Sequence, residues 1–417
     1  MSSFQERRKP IYLPALGMAC PLGHGKQAIT QSLFAHQNIF PESHETLISG
    51  KRTAVRDIPF DLPELPFEFQ HLNSRNNRLL RLALDEIAEA VEDAKKTYGS
   101  SRVGVVLATS TSGMLEGEQG FTQRERTGTW PDDYHYAQQE TASPSLFASH
   151  YLNIGGPSYT ISTACSAGSK ALCSAYRLIH AGICDAVISG GVDTLCKITL
   201  NGFDSLELLS EKICTPFSKN RNGITLGEGA SVFLVTGEKN PTDSPIEFTG
   251  GGESSDAYHI SAPDPLGSGA EIAIRAALDM ASLGTKDIAY INLHGTATHL
   301  NDAMESMCIN RIFGEEVPCS STKALTGHTL GASGAVEAGF LWLALSQEQN
   351  GSIPLPPHLW DGKWDPLLPP LLLSKTGERA SAINGRFNLM SNSFAFGGSN
   401  SSLIFSKRSL QESHQDG

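Results

Sequence analysis

Short apolar runs alternate along the chain with longer amphipathic segments. The short runs are rich in β-branched residues and lack polar alternation, which indicates strands buried on both faces. They cover 102–108, 185–189, 230–235, 288–293 and 402–406. The longer segments have apolar residues at helical spacing and predict helices over 77–98, 169–181, 270–282 and 335–346. This alternation predicts an α/β protein with largely parallel sheets.

The length of the chain predicts more than one structural unit. It has 417 residues, and single hydrophobic cores usually stop growing below that size. The polar stretch 237–244 separates parts of similar strand and helix content. We therefore expect one unit over 1–243 and a second over 244–417. Prolines clustered at 354–370 indicate an ordered surface loop, and 410–417 reads as a frayed tail.

Charge and cysteine content exclude several classes of protein. A formal net charge of −12 argues against a nucleic-acid-binding protein and against adsorption to an anionic membrane. The chain has no secretory signal pattern and no apolar run long enough to span a bilayer, so we expect a cytoplasmic protein. Eight cysteines without a C-x-x-C pair argue against a disulfide framework and a structural zinc site.

One cysteine lies where an extended run meets a helical pattern. In 159–172 (YTISTACSAGSKAL), Cys165 is placed near the amino-terminal end of a predicted helix, among small residues. Free N–H groups and the helix dipole stabilise an anion there, so we expect a lowered thiol pKa and a nucleophilic thiolate. A buried structural cysteine is the alternative, and this pattern alone does not decide between them.

Two histidines lie between predicted buried strands and glycine-rich turns. His294 follows the strand in IAYINLHGTATHLND, and His328 lies in ALTGHTLGASGAVE. Residues at the carboxyl ends of parallel strands commonly face the active crevice. A zinc site formed by Cys165, His294 and His328 is the alternative, although no close ligand pair anchors it.

A third signal is the turn NSFAFGGSN at 392–400. An aromatic pair followed by two glycines predicts exposed backbone N–H groups, which can form an oxyanion hole. In isolation the same turn indicates only a hairpin. No Walker-type phosphate loop is present, and we expect no cofactor.

Taken together, these segments resemble the elongating β-ketoacyl-acyl-carrier-protein synthases of the thiolase-like superfamily, over nearly the whole chain. The start ALGMACPLG and the block PFSKNRNGITLGEGA are similar to family motifs, as are 155–169, HGTATHLND, KALTGH and NSFAFGGSN. The resemblance implies two fused pseudo-duplicate halves of mixed topology, layered αβαβα. It also implies a dimer with 115–151 near the subunit interface.

The resemblance assigns the chemistry residue by residue. Cys165 would take an acyl group from an acyl-carrier protein. His294 and His328 would hydrogen-bond the thioester oxygen of malonyl-carrier protein as CO₂ leaves. Backbone N–H groups of Cys165 and Phe396 would hold the oxyanion, and Phe396 matches the family's gating residue.

Further matching positions are implied around this centre. Lys323 and Glu337 would orient the second histidine, with a purely structural ion pair as the alternative. Met114, Phe203 and Phe394 fall where the family lines its acyl pocket.

Several positions depart from the family's pattern without removing a catalytic group. Ser218 and Asn222 replace aspartates, His299 and Asn301 replace proline and glycine, and Ser399 replaces threonine. The motif HGTATHLND looks most like ketosynthases of aryl-polyene-type clusters, in the type II polyketide branch.

Three other functions compete with this interpretation. A thiolase would need a second cysteine near the carboxyl end, and NSFAFGGSN has none. A non-catalytic chain-length factor would typically lose Cys165, and a metal-binding protein is the third. The expected partners are acyl-carrier protein and a second subunit, in a homodimer or a heterodimer with a chain-length-factor-like homologue. Because carrier proteins are acidic, we expect a local Lys/Arg patch at the tunnel mouth.

Overall fold

The computed structural model describes residues 10–35, 42–237 and 245–410. The strands are β1 (Ile11–Cys20), β2 (Gly23–His24), β3 (Ser43–Thr46), β4 (Arg52–Arg56), β5 (Val103–Ala108), β6 (Ser158–Ile161), β7 (Ala186–Asp193), β8 (Leu226–Gly227), β9 (Gly229–Thr236), β10 (Glu247–Ser255), β11 (Tyr290–Asn292), β12 (Cys319–Ser320), β13 (Ser352–Pro354), β14 (Arg379–Ser381), β15 (Arg386–Phe394) and β16 (Ser399–Arg408). The helices are α1 (Lys26–Leu33), α2 (Arg75–Tyr98), α3 (Met114–Thr127), α4 (Ser143–Tyr151), α5 (Ala167–His180), α6 (Lys197–Ser205), α7 (Ser268–Ala281), α8 (His299–Phe313), α9 (Lys323–Thr326) and α10 (Ser333–Ser346).

The main sheet repeats one five-strand pattern twice. Its order is β12-β11-β15-β16-β10-β1-β9-β7-β5-β6, with β2 paired to β1. The first half has the order β6-β5-β7-β9-β1, and the second half has the matching order β12-β11-β15-β16-β10. In each half the first three strands of this order pair in parallel, and the remaining pairs are antiparallel. The halves meet where β1 pairs with β10.

Helices cover both faces of each half. Helices α2 and α4 pack outside the first half, α7 packs against β10 and β16 of the second half, and α5 and α10 lie between the halves and contact each other. The α5–α10 contact depends on two glycines. A Cβ on Gly168 would lie 2.6 Å from the Ala335 nitrogen, and one on Gly334 would lie 2.2 Å from Ser169 Oγ. The layers confirm the predicted αβαβα fold class.

The predicted strands and helices all appear, with bounds that differ by a few residues. Strands β5, β7 and β9 are buried along their whole length, as expected of strands covered on both faces. The prediction of largely parallel sheets is wrong. Strand β9 starts at the edge of the sheet where β7 ends, so the two strands run antiparallel. Strands β15 and β16 repeat this arrangement in the second half.

Two of the predictions concern residues outside the described ranges. The boundary at 243–244 lies within 238–244, and the tail lies almost wholly within 411–417, so both stay predictions. The 354–370 segment is ordered and carries no helix, with β13 ending at Pro354. Among the described residues, no helix is both long and apolar enough to cross a membrane.

Candidate active site

Cys165 lies in the tight turn that joins β6 to α5. The preceding residue, Ala164, has a φ of 51°, in the left-handed region, and α5 begins two residues after the cysteine. The side chain is buried, with 6% exposed. The backbone N–H groups of Cys165 itself and of Phe396 act to lower the pKa of the thiol. Both predicted oxyanion donors therefore lie near the reacting atom.

His294 is held by a carboxylate that the sequence did not reveal. It follows β11 by two residues, and its backbone N–H donates to Glu305 Oε1 at 2.7 Å. The next N–H, of Gly295, donates to Glu305 Oε2 at 2.6 Å. Burial raises the pKa of Glu305 to about 8, and these two N–H groups act against that rise.

Glu305 and Asp302 are both fully buried on the inner face of α8. Asp302 accepts from the backbone N–H of Ala297, in the turn after His294, at 3.1 Å. A signal for this pair was available. Asp302, Glu305 and the buried Ile309 follow one another at spacings of three and four residues, so the two acids share a helix face with a core residue.

His328 follows the short helix α9, rather than a strand as predicted. Its backbone N–H donates to the Thr225 carbonyl at 2.7 Å, and its carbonyl accepts from the Gly227 N–H at 3.0 Å. These bonds fix the backbone and leave the ring free to face Cys165.

The three predicted catalytic groups come together. His328 Nε2 lies 3.0 Å from Cys165 Sγ, and the His294 and His328 ring centroids are 5.4 Å apart at 86°. One ligand atom from each of the three residues lies within 4.8 Å of the others. Among the described residues, Nδ1 of each histidine has no hydrogen-bond partner, so no second contact fixes either tautomer.

Burial dominates the electrostatics of the triad. It raises the pKa of the Cys165 thiol to about 11, although Lys323 and the two N–H groups act against it. The expected lowering of this pKa is therefore wrong, because desolvation of the thiolate outweighs the stabilisation at the helix start. Burial and the charge on Lys323 hold the pKa of both His294 and His328 well below 6.5. Both rings are neutral at pH 7.

Lys323 and Glu337 form a buried ion pair beside these groups. Lys323 Nζ lies 2.5 Å from Glu337 Oε1, with side chains 1% and 2% exposed. Glu337 also accepts from Ser333 Oγ at 3.3 Å. Three ligand atoms with an open position would suit zinc, but the nearby ammonium of Lys323 opposes binding of a cation at the triad.

A cavity of about 240 Å³ contains the triad. Phe203, Phe394 and Phe396 line it, and the rings of Phe203 and Phe396 stack 5.8 Å apart at 28°. Met114 is not among the lining residues and instead begins α3, half-buried. The structure thus brings all the predicted side chains except Met114 into or beside one cavity.

The departures from the family pattern have defined contacts. Ser218 Oγ donates to Asp361 Oδ1 at 2.8 Å, and Asn222 Oδ1 accepts from Ser210 Oγ at 2.7 Å. His299 and Asn301 line the cavity that holds the triad.

Comparisons with known proteins agree with this arrangement. Family models described as "Beta-ketoacyl synthase, N-terminal domain" and "Beta-ketoacyl synthase, C-terminal domain" match residues 8–240 and 247–356. A 3-oxoacyl-(acyl-carrier-protein) synthase 2 from Staphylococcus aureus (strain COL) is 31% identical over 354 residues, which is 80% of this chain and 82% of the relative. One from Synechocystis sp. is 29% identical over 421 residues, covering 96% and 98% of the two chains.

Solved structures are also similar. A ketosynthase (ApeO) from Xenorhabdus doucetiae, in complex with its chain length factor (ApeC), matches with a TM-score of 0.87 and 45% identity, over 97% of this chain and 99% of that one. A β-ketoacyl synthase from Burkholderia phymatum STM815 matches with a TM-score of 0.79 and 27% identity, over 96% and 100% of the two chains.

Proposed function

This chain belongs to the β-ketoacyl synthase family and is an acyltransferase, and we propose that Cys165, His294 and His328 perform its condensation. The observation that carries the assignment is the 3.0 Å contact of Cys165 Sγ with His328 Nε2, with His294 and Phe396 lining the same cavity. A chain-length factor has no need of such a set, so we favour the catalytic subunit over that alternative.

The first step transfers an acyl group from a carrier protein to the enzyme. The thiol proton of Cys165 passes to His328 Nε2, 3.0 Å away, and the thiolate attacks the thioester carbonyl. The oxyanion is held by the N–H groups of Cys165 and Phe396. When the tetrahedral intermediate collapses, the carrier thiolate leaves and is protonated by solvent. His328 keeps the proton at Nε2 and loses the one at Nδ1, which leaves the neutral Nε2–H tautomer that the second step uses.

The second step forms the new carbon–carbon bond. Malonyl-carrier protein loses CO₂, and the electron pair of the broken bond forms an enolate whose oxygen accepts hydrogen bonds from the Nε2–H groups of His294 and His328. Neutral imidazoles suit this role, because each donates an N–H hydrogen bond to the developing oxyanion without transferring its proton to the enolate. The enolate carbon attacks the acyl-enzyme, and the Cys165 thiolate leaves and takes the Nε2 proton of His328. The ring gains a proton from solvent at Nδ1, which restores the tautomer that accepts from the thiol.

We infer a specialised pathway and a heterodimeric partner. The 45% identity to a ketosynthase whose structure was solved in complex with its chain length factor supports a partner of that kind. The motif HGTATHLND, with His299 and Asn301 lining the cavity, favours an aryl-polyene-type substrate. In this proposal 115–151 contributes to the subunit interface, and Met114 reaches an acyl pocket completed there.

Intact-protein mass after incubation with acyl-carrier protein tests the nucleophile. We expect an acyl adduct on the wild type and none on Cys165→Ala. The acyl chain that labels best then identifies the substrate range. If no acyl donor labels the wild type while a co-expressed homologue in the same complex is labelled, the accessory-subunit alternative replaces ours.

A further inference from the structure

The ring of His358 is buried between two turns outside the catalytic cavity, with 5% of the residue exposed. Its Nδ1 accepts from the backbone N–H of Ser321 at 3.1 Å, and its Nε2 lies 3.1 Å from the Pro216 carbonyl oxygen. Because an amide N–H can only donate and a carbonyl can only accept, the ring is the neutral Nε2–H tautomer.

Ser321, which donates to His358 Nδ1, also hydrogen-bonds to the segments that carry His294 and His328. Ser321 Oγ donates to the carbonyl of Gly295, the residue after His294, at 2.6 Å. The same hydroxyl accepts from the backbone N–H of Lys323 at 3.3 Å. Ser321 therefore joins the turn that follows His294 to the start of α9, which leads to His328.

The second contact reaches the His294 turn from the other side. The residue after Pro216 is Phe217, whose N–H donates to Asp302 Oδ2 at 2.8 Å. The other oxygen of Asp302 accepts from Ala297. His358 thus bridges two segments that each hold the His294 turn.

The surroundings of the ring keep this bridge in place. The ring centroids of Phe217 and Trp360 lie 6.0 and 5.6 Å from that of His358. The backbone N–H of His358 donates to the Ser374 carbonyl at 2.9 Å. Burial lowers the pKa of His358 to about 4, so its Nδ1 stays an acceptor at neutral pH.

We propose that His358 is a positioning residue that sets His294 relative to the Lys323–His328 segment for the malonyl step. It does not line the catalytic cavity, and it acts through Ser321. This inference rests on the proposed roles of His294 and His328. It predicts that loss of the Nδ1 acceptor slows condensation and leaves acylation of Cys165 unchanged, because His294 takes part only in the malonyl step and the backbone of His328 is fixed separately by Thr225 and Gly227.

The test measures the rates of acylation and of condensation for two substitutions of His358. His358→Phe keeps a planar ring and removes both hydrogen bonds, whereas His358→Asn keeps an acceptor at the position of Nδ1. We measure acylation by acyl-carrier protein, and then condensation of the isolated acyl-enzyme with malonyl-carrier protein in a single turnover. For His358→Phe we expect condensation to be slower by about tenfold to a hundredfold, as for a small misplacement of reacting groups.

The Asn variant should recover most of the condensation rate. Ser374→Ala is the matched control, because its hydroxyl holds the same loop through the Pro356 carbonyl at 2.7 Å and does not touch Ser321. Its two rates should equal those of the wild type.

Three results would overturn the inference: a His358→Phe condensation rate equal to that of the wild type, a parallel loss of both steps, or an Asn variant as slow as the Phe variant. A wild type that acylates but never condenses would instead refute the proposed function.

Discussion

At the scale of single residues, the state of the Cys165 thiol depends on opposed influences. Its own N–H, the Phe396 N–H and Lys323 favour the thiolate, and complete burial disfavours it more strongly. A pKa of about 11 means that the resting thiol is protonated at pH 7. In the proposed mechanism acylation therefore needs a base in contact with the sulfur, and His328 Nε2 is the group that lies there.

Alkylation kinetics should show the raised pKa directly. The thiolate fraction, and with it the iodoacetamide rate at Cys165, should increase about tenfold per pH unit from pH 7 to 9.5 without a plateau. The rate is followed by the mass of the modified peptide. Cys165→Ala gives the background from the other seven cysteines, all of which are buried. A plateau near pH 8 would show that the N–H groups and Lys323 outweigh burial.

The sequence located the reacting groups better than it predicted their chemistry. Cys165 and His294 could be found because each lies beside the end of an apolar run. The contact of Cys165 with His328 and the fixing of His294 by Glu305 depend on segments distant in sequence. The pKa of the thiol depends on desolvation by the whole surrounding fold, which no local pattern contains.

At the scale of elements, the Lys323–Glu337 pair links the first residue of α9 to the middle of α10. Both charges are withdrawn from water, so each depends on the other for solvation. Lys323 also acts, together with the larger effect of burial, to hold the pKa of the two histidines low and so keep them neutral.

Removing one member should be far worse than removing both. Lys323→Met leaves a buried carboxylate without its cation and should lower the free energy of unfolding by about 3–5 kcal/mol. Lys323→Met combined with Glu337→Gln should recover most of that loss. Urea denaturation of the wild type, both single variants and the double variant measures the coupling. Additive losses would mean that the two side chains do not interact.

Helix α7 packs against β10 over glycines. An added Cβ on Gly252 would lie 1.9 Å from the Ala273 carbonyl oxygen, and one on Gly250 would lie 2.4 Å from that of Ala277. This close approach explains why the sequence did not reveal β10. Its centre, TGGG, is a poor strand pattern, and the glycines are required by a helix that comes later in the chain.

Two glycine substitutions should have opposite effects. Gly252→Ala forces α7 away from the sheet and should destabilise the protein by about 1–3 kcal/mol or more. Gly202 lies in α6, where an added Cβ meets nothing within 4 Å. Gly202→Ala should therefore stabilise the fold by about 0.5–1 kcal/mol through helix propensity. The midpoints of urea unfolding at equal slope measure both effects, and equal midpoints would contradict the packing argument.

At the scale of the whole molecule, the repeated halves share one interior. Phe233 of β9 meets Phe405 of β16 with ring centroids 5.8 Å apart, and both belong to a cluster that also includes Leu16 and Phe340. Helix α10 of the second half contacts α5, β7 and β9 of the first. A boundary between β9 and β10 would therefore divide the repeat without dividing the core.

Unfolding should reflect that shared core. We expect the amides of β7 and β15, one strand from each half, to lose hydrogen-exchange protection at the same urea concentration, because exposing either half removes apolar contacts of the other. Gly252→Ala supplies the decisive comparison, since it perturbs only the second half directly. It should lower the protection of β7 and β15 by the same free energy. If β7 kept the protection of the wild type while β15 lost its own, the halves would be separable domains, and the shared cluster would be a weak interface between them.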